Sequence, residues 1–391
     1  MTQLIDTTPQ QEKAVLVALV TPQQSMAQAQ EHLDELAFLA LTLGIKTLHT
    51  FVQSLQGPYA STFVGKGKLE EIASFVKSKQ VDLVIFDDEL SPSKVRNLEH
   101  ALSCSVVDRT LLILNIFAMR AKTSQAKIQV ALAQYQYLLP RLTRMWSHLS
   151  KQKGGSAGMR GPGEKELETD RRLVQKKIAL LRKKLETINQ QNITQRKTRA
   201  QVTRVALVGY TNVGKSTLMR VLSKENVYTE DKLFATISST VRKVVLRDIP
   251  FLLTDTVGFI RKLPHTLVEC FQSTLDEVRE ADILLHVADA CNPACKEHMQ
   301  VVQETLQEIG IVDVPMILVI NKIDRFENKE AMQEVTKSLQ QVLPKQQQGV
   351  ATVYISAAKR DNVEALKDLL YQQVYLRHMK IFPNYLKKAT H

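Results

Sequence analysis

The chain has 391 residues, 44% of them apolar and 24% charged, with 14 Gly, 12 Pro and a formal net charge of +12 from 52 Lys and Arg against 40 Asp and Glu. This leaves room for about two or three globular domains and excludes fibrous, low-complexity and small disulfide-stapled proteins. No apolar run approaches the ~18 residues of a membrane span, and 1–6 lacks a basic stretch followed by an apolar one, so a cytoplasmic protein is expected.

In chain order, apolar runs at 14–20, 45–52, 81–86 and 105–107 alternate with helix-like stretches at 27–43, 68–78 and 93–101. That rhythm predicts a parallel sheet covered by helices, an N-terminal α/β domain over 1–110. Within it, Gly65-Lys66-Gly67-Lys68 reads either as a phosphate-binding turn or as a plain helix start.

From 111 the periodicity lengthens. Phe117, Ser124, Ala131, Leu138 and Met145 recur every seventh residue, as do Ala121, Ile128, Tyr135 and Leu142. Leu167, Val174, Leu181 and Ile188 repeat that spacing, and Ile178 with Leu185 widens the stripe. Two such seams predict a long antiparallel helical hairpin over 111–192. Its joint, 150–163, carries Gly154, Gly155, Gly158, Gly161 and Gly163 beside Lys151, Lys153 and Arg160 and has no means of packing a core. A long basic loop of this kind is suited to reaching into an anionic partner. Between Arg141 and Arg204 stand 17 basic and 5 acidic residues, a surplus equal to the whole net charge. Such clustering fits either a polyanion-binding element or a solvated helix face. Residues 193–203, polar and basic, read as a linker.

A second α/β region spans 204–370, followed by a tail, 371–391. After an apolar strand at 204–208 comes Gly209-Tyr210-Thr211-Asn212-Val213-Gly214-Lys215-Ser216, then a helix-like stretch opening at Thr217. This is a complete phosphate-binding loop in its required strand-to-helix setting. Glycines let backbone N–H groups turn toward phosphates, Lys215 brings a point charge to the β and γ groups, and Ser216 offers a hydroxyl to Mg²⁺.

Farther on, an apolar strand ends in Asp255-Thr256-Val257-Gly258, where Asp255 is placed to hold the magnesium shell and the Gly258 N–H to meet a γ-phosphate. Lys215, Asp255 and Gly258 are thus the candidate catalytic groups. Between these motifs lies the candidate switch, Phe234-Ala235-Thr236-Ile237-Ser238, continuing to Thr240. Thr236 is the preferred second magnesium ligand beside Ser216, and Thr240 the alternative. After a strand at 316–320 comes Asn321-Lys322-Ile323-Asp324, whose terminal carboxylate suits the two donors on guanine's Watson–Crick edge. Ser356-Ala357-Ala358-Lys359 then follows a strand at 350–355 and completes the base pocket. Phe259 stands where many small GTPases carry a water-orienting Gln, which predicts slow intrinsic hydrolysis accelerated by a partner.

These four elements in this order resemble the G-domain of translation-factor-related GTPases. Over most of its length the chain further resembles HflX-type GTPases, in Phe63-Val64-Gly65-Lys66-Gly67-Lys68-Leu69, Asp108-Arg109-Thr110, 134–141, Arg160-Gly161-Pro162-Gly163-Glu164, Leu167-Glu168-Thr169-Asp170-Arg171-Arg172 and 255–264. The resemblance implies an N-terminal α/β domain with a helical hairpin ahead of a P-loop G-domain. It also implies Mg²⁺-dependent GTP hydrolysis, and binding to the large ribosomal subunit and its RNA to split or rescue ribosomes; a monomer is expected, with self-association left open. The sequence departs from the family pattern at Ser238-Ser239-Thr240, where Asp-Pro-Thr is usual, and at Val213, where Ala is common. Two rival readings stay open: an RNA-remodelling ATPase driven by the N-terminal domain, and a binding module that uses nucleotide only for stability. The four cysteines, Cys104, Cys270, Cys291 and Cys295, are scattered and expected to be reduced, and Cys291 and Cys295 beside His298 lack the second ligand pair of a metal cage.

Overall fold

The computed structural model describes residues 11–22, 24–142, 164–197, 202–223, 234, 240–263, 272–311, 313–326 and 351–383. The chain divides into two compact units, 1–119 with 134–175 and 120–133 with 176–391.

In the first unit the elements run β1 (Lys13–Val20), α1 (Met26–Thr42), β2 (Lys46–Ser54), α2 (Lys66–Lys79), β3 (Leu83–Phe86), α3 (Pro92–Leu102), β4 (Ser105–Asp108) and α4 (Arg109–Arg120). The strands form one parallel sheet in the order β2-β1-β3-β4. β1 is buried along nearly its whole length, which is why it reads as a continuous apolar run rather than an alternation. Val15, Val17, Phe51, Val84, Phe86 and Leu98 share one core. α1 opens on a capping box in which Ser25 and Gln28 each bond the other's main-chain N–H. Gly65-Lys66-Gly67-Lys68 opens α2, and the Gly65 N–H donates to Gln53 Oε1 at 2.9 Å.

At the end of β4, Asp108 accepts the Leu111 N–H at 2.8 Å and the Leu90 N–H at 3.1 Å, joining the start of α4 to the loop after β3. Arg109, 1% exposed, bonds Asp87 at 2.9 Å and also Glu35. Arg141 lies over the Tyr137 ring at 3.5 Å and donates to the Leu90 carbonyl at 2.7 Å.

α5 (Ser124–Leu138), a 3₁₀ turn (Leu139–Arg141) and α6 (Glu164–Lys197) follow. The heptad stripe expected from Phe117 to Met145 is not one helix. α4 stops at Arg120, and Thr123 starts α5 by accepting the Ala126 N–H at 3.1 Å. The predicted face is also displaced, for Ser124 is exposed and Ile128, Ala131, Tyr135 and Leu138 are half-buried, while Ala126, Val130, Ala133 and Tyr137 are buried. α5 carries small or apolar residues on several faces, so spacing alone could not choose among them. In α6 the expected stripe does turn inward: Ile178 and Leu181 are buried, and Val174, Leu185 and Ile188 half-buried. Met145 and the joint 150–163 lie outside the described residues. α6 continues to Lys197, inside the stretch read as a linker.

In the second unit come β5 (Arg204–Val208), α7 (Lys215–Ser223), β6 (Thr240–Leu246), β7 (Ile249–Asp255), α8 (Gln272–Arg279), β8 (Ile283–Asp289), α9 (Cys295–Glu308), β9 (Met316–Asn321), β10 (Ala351–Tyr354) and α10 (Val363–Ile381). The sheet order is β10-β9-β8-β5-β7-β6, parallel except for β6 against β7. α10 runs unbroken past Leu370, burying Leu366, Leu370 and Val374, so the boundary expected at 370 falls inside a helix. Among the described residues no helix is long and apolar enough to cross a membrane.

Arg109→Met keeps side-chain volume but strips the counter-charge from Asp87 and Glu35. It should cost about 3–5 kcal/mol, seen as a lower urea midpoint of the first unit by circular dichroism. An unchanged midpoint would contradict the buried ion pairs.

Candidate functional site

From β5 the chain crosses to β6 and β7 on one side and returns to β8 on the other. The crevice beyond the C-terminal end of β5 is therefore where a sheet of this kind offers room to a ligand. The loop 209–214 occupies it, and two of its glycines are sterically required. A Cβ on Gly209, at φ +152°, would lie 2.3 Å from the Val287 carbonyl oxygen, and one on Gly214, at φ +98°, would lie 2.4 Å from Asn321 Nδ2. Close seating against β8 and β9 brings the N-terminal turn of α7 to the crevice, with its main-chain N–H groups available to an anion. Thr211 and Val213 are buried, Asn212 is exposed at φ +59°, and Thr217 sits half-buried in the first turn of the helix.

Lys215 opens α7 and is 6% exposed, its ammonium donating to the carbonyls of Gly209 at 2.9 Å and Tyr210 at 2.5 Å. Burial pulls its pKa down to about 8, against the opposing pull of Asp255. His286, an imidazole among the apolar residues 283–288 of β8, is drawn down to about 4 by burial and then by the Lys215 charge. It is therefore neutral at neutral pH and adds no positive charge beside Lys215. Sequence reasoning missed His286, and the one available signal was a single titratable side chain inside Ile283-Leu284-Leu285-His286-Val287-Ala288.

Asp255 ends β7, and its Oδ2 accepts the Ser216 hydroxyl at 2.6 Å. The next residue turns inward, since the buried Thr256 hydroxyl donates to the Leu207 carbonyl at 2.6 Å. That bond fixes the exit of β7 and carries Val257 and Gly258 over the phosphate loop. A Cβ on Gly258 would stand 2.9 Å from Thr211 Cα and 3.1 Å from Lys215 Nζ, so only glycine fits. The hydroxyl of Ser216 and the carboxylate of Asp255 are hard oxygen donors brought together, a set that fits a magnesium ion keeping part of its water shell. When bound, the ion would neutralise charge on the β- and γ-phosphates.

At the base end, Asn321 is a brace. Its Nδ2 donates to the Val213 carbonyl at 2.8 Å, and its Oδ1 accepts the Ala357 N–H at 2.9 Å, tying the phosphate loop to the loop after β10. Lys322, at φ +66°, pairs with Asp289 at 2.7 Å. Ile323 donates its N–H to the Ile355 carbonyl at 3.3 Å. A hydrogen bond from Ser356 holds the Asp324 carboxyl below its ordinary range, so it is ionised and ready to accept from a donor pair. Ser356 and Ala357 are buried, and Ala358 is exposed.

Phe234 is buried, whereas Ala235, Thr236, Ile237 and Ser238 lie outside the described residues. Thr240, the alternative magnesium ligand, is the first residue of β6 and stands opposite Asp255 in the antiparallel ladder. Phe259 is 3% exposed and bonded through its backbone, its N–H to the Gly209 carbonyl at 3.1 Å and its carbonyl to the Thr211 N–H at 2.8 Å. Cys291 Sγ donates to the Lys322 carbonyl at 3.4 Å, and the His298 ring lies against Tyr210.

Residues 30–118 match a family described as GTP-binding GTPase N-terminal, 120–199 one described as GTP-binding GTPase Middle Region, and 204–322 one described as 50S ribosome-binding GTPase. A GTPase HflX of Flavobacterium psychrophilum is 48% identical over 383 residues, covering 95% of this chain and 92% of its own. That of Escherichia coli K12 is 46% identical over 322 residues, 82% of this chain and 75% of its own. Among solved structures, SsGBP in complex with GDP is 25% identical over 94% of this chain and 99% of its own, with a TM-score of 0.50.

With the Lys215 amine mostly neutral at about pH 8.5 in the empty pocket, bound phosphates should recharge it. Calorimetry in buffers of different ionisation enthalpy should then record uptake of most of a proton per GDP bound. No uptake would mean that the ammonium is already charged. Asp324→Asn removes a charge-assisted acceptor pair and should weaken GTP binding at least about tenfold while favouring xanthine nucleotides, whose base offers an acceptor at that edge. Unchanged base preference in competition binding would remove Asp324 from the base pocket.

Proposed function

The chain belongs to the HflX family of GTPases, and from that membership we propose that it couples the state of its guanine nucleotide to docking on the large ribosomal subunit, in splitting or rescue of ribosomes. The family description of 204–322 names 50S binding, and GTP hydrolysis is the activity of the family. Ser216, with Thr236 from the switch segment, would hold Mg²⁺ directly and Asp255 its water shell, while Lys215 and the Gly258 N–H would meet the β- and γ-phosphates. Phe259 supplies no polar side chain to orient an attacking water, so intrinsic turnover would be slow and a docked partner would raise it.

The observation that carries the docking reading is on α6. Arg171, Arg172, Lys176, Lys177, Arg182, Lys183 and Lys184 are all exposed, while Ile178 and Leu181 face inward. One helix thus turns Ile178 and Leu181 inward and carries these seven cations, with Leu173 and Leu180 among them, on its exposed surface. Clustered cations of this kind release condensed counterions from an RNA backbone and make binding salt-dependent. A γ-phosphate drawing the segments around Thr236 and Gly258 inward would be the event that changes the grip.

Cosedimentation of the full chain with separated large subunits should be strongest with a non-hydrolysable GTP analogue and weaker with GDP or no nucleotide. Replacing Arg182, Lys183 and Lys184 by Gln should weaken pelleting and flatten its dependence on salt. Equal pelleting in every nucleotide state would end the coupling proposal, and unaltered binding of the triple variant would leave those cations as a solvated face.

A further inference from the structure

The second residue of the phosphate loop has a side chain that nucleotide contact does not explain. Tyr210 is 3% exposed, and its ring lies flat on the His298 imidazole of α9, with centroids 3.6 Å apart and planes 5° from parallel. Its hydroxyl accepts the main-chain N–H of Arg261 at 2.8 Å. Its own carbonyl takes the Lys215 ammonium, and its backbone bridges Phe259 through the two bonds flanking it. One residue therefore touches the phosphate-binding lysine, the segment that follows Gly258, and a separate helix. Filling space would require only a ring. The phenolic oxygen is aimed instead at a buried N–H three residues beyond the glycine that is to meet the γ-phosphate.

We infer that Tyr210 is a positioning residue for GTP hydrolysis: its hydroxyl fixes the backbone at Arg261, its ring is backed by His298, and together they keep Gly258 poised above Lys215. The inference deepens the reading of this site as one in which Gly258 meets the γ-phosphate, and rests on it. Gly258 is held from two sides. Upstream, Thr256 is bonded to Leu207; downstream, Phe259 is bonded to Gly209 and Thr211, and Arg261 to Tyr210. Of these restraints only the last is a tyrosine side chain that can be removed without disturbing β7 or the phosphate loop backbone. His298 is half-buried, so the outer end of the stack reaches the surface of α9. The β-phosphate contacts do not depend on the phenolic oxygen, because the Lys215 ammonium is held by the main-chain carbonyls of Gly209 and Tyr210, which a side-chain change leaves in place, and Asn321 braces the loop at Val213. Loss of the hydroxyl should consequently be felt in turnover and not in GDP binding.

Tyr210→Phe keeps the ring and its stack and deletes the hydroxyl that accepts the Arg261 N–H. Two measurements on the full chain decide the matter. In nucleotide-free protein, hydrogen exchange of the amides at 258–262 should speed up about fivefold, the worth of one hydrogen bond. In steady-state hydrolysis with Mg²⁺, kcat should fall by a similar factor, about fivefold, with KM for GTP and Kd for GDP little changed. His298→Ala should lower kcat in the same direction, and His298→Phe, which restores a flat partner for the ring, should recover most of it. Parental exchange in Tyr210→Phe overturns the inference, as does a fall in GDP affinity and melting temperature in step with kcat, which would make the side chain merely structural. If neither parent nor variants hydrolysed GTP, the catalytic reading of the site would fail, while the exchange comparison would still decide whether Tyr210 fixes this segment.

Discussion

Lys215 carries an ammonium group into a site where, among the described residues, two carbonyl oxygens and a carboxylate answer it, and burial works against its charge. A phosphate chain placed there would meet a cation already desolvated and already aimed, along with the N-terminal turn of a helix. The geometry around it follows from that need. The loop must approach β8 and β9 within van der Waals contact, so Gly209 and Gly214 carry no side chain. The histidine beneath must stay neutral, so it is sealed at 1% exposure. Only a sheet whose chain departs in both directions from β5 leaves a crevice of this kind open.

The nucleotide site is built from stiff and adjustable parts. Asn321 locks the phosphate loop to the base end of the pocket through two bonds, so both ends of a nucleotide are presented by one braced body. The strand carrying Asp255 is held by ladders on both sides. By contrast the stretch from Val257 to Arg261 runs outside the ladders, and the bonds of Phe259 to Gly209 and Thr211 and of the Arg261 N–H to Tyr210 hold it individually. Under the proposed coupling, a nucleotide-dependent response would be cheapest in such a stretch, where few bonds must be remade.

In the first unit, the adjacent residues Asp108 and Arg109 are structural. One receives N–H groups from two loops, and the other neutralises two carboxylates inside the fold. Burying such groups is costly unless each is matched, and removing one partner is far more damaging than the pair is stabilising. That asymmetry accounts for both residues without any ligand. On α6 the logic is reversed, because Arg171, Arg172, Lys176, Lys177, Arg182, Lys183 and Lys184 are exposed while Ile178 and Leu181 are buried.

The amino-acid sequence by itself determined the alternating strands and helices of the first α/β region, four strands of the second, the strand-to-helix loop at 209–216, the position of Asp255 and Gly258 after β7, the stretch 321–324 after β9 and the inward turn of Ile178 and Leu181 on α6. These are local patterns, in which a run of apolar residues or a glycine at a fixed offset acts on its own neighbours. Tertiary structure alone decided that Asn321 is a brace, that His286 lies beneath Lys215, that Tyr210 stacks on His298, that Thr240 begins an antiparallel strand, and which face of α5 is buried. Each of these depends on which strands become neighbours in the sheet and how far a chain end is carried past another. That information resides in contacts between residues distant in sequence, and no periodicity records it. The break between α4 and α5 belongs with the second group: the sevenfold spacing running across Thr123 concealed the stop that its bond to the Ala126 N–H marks.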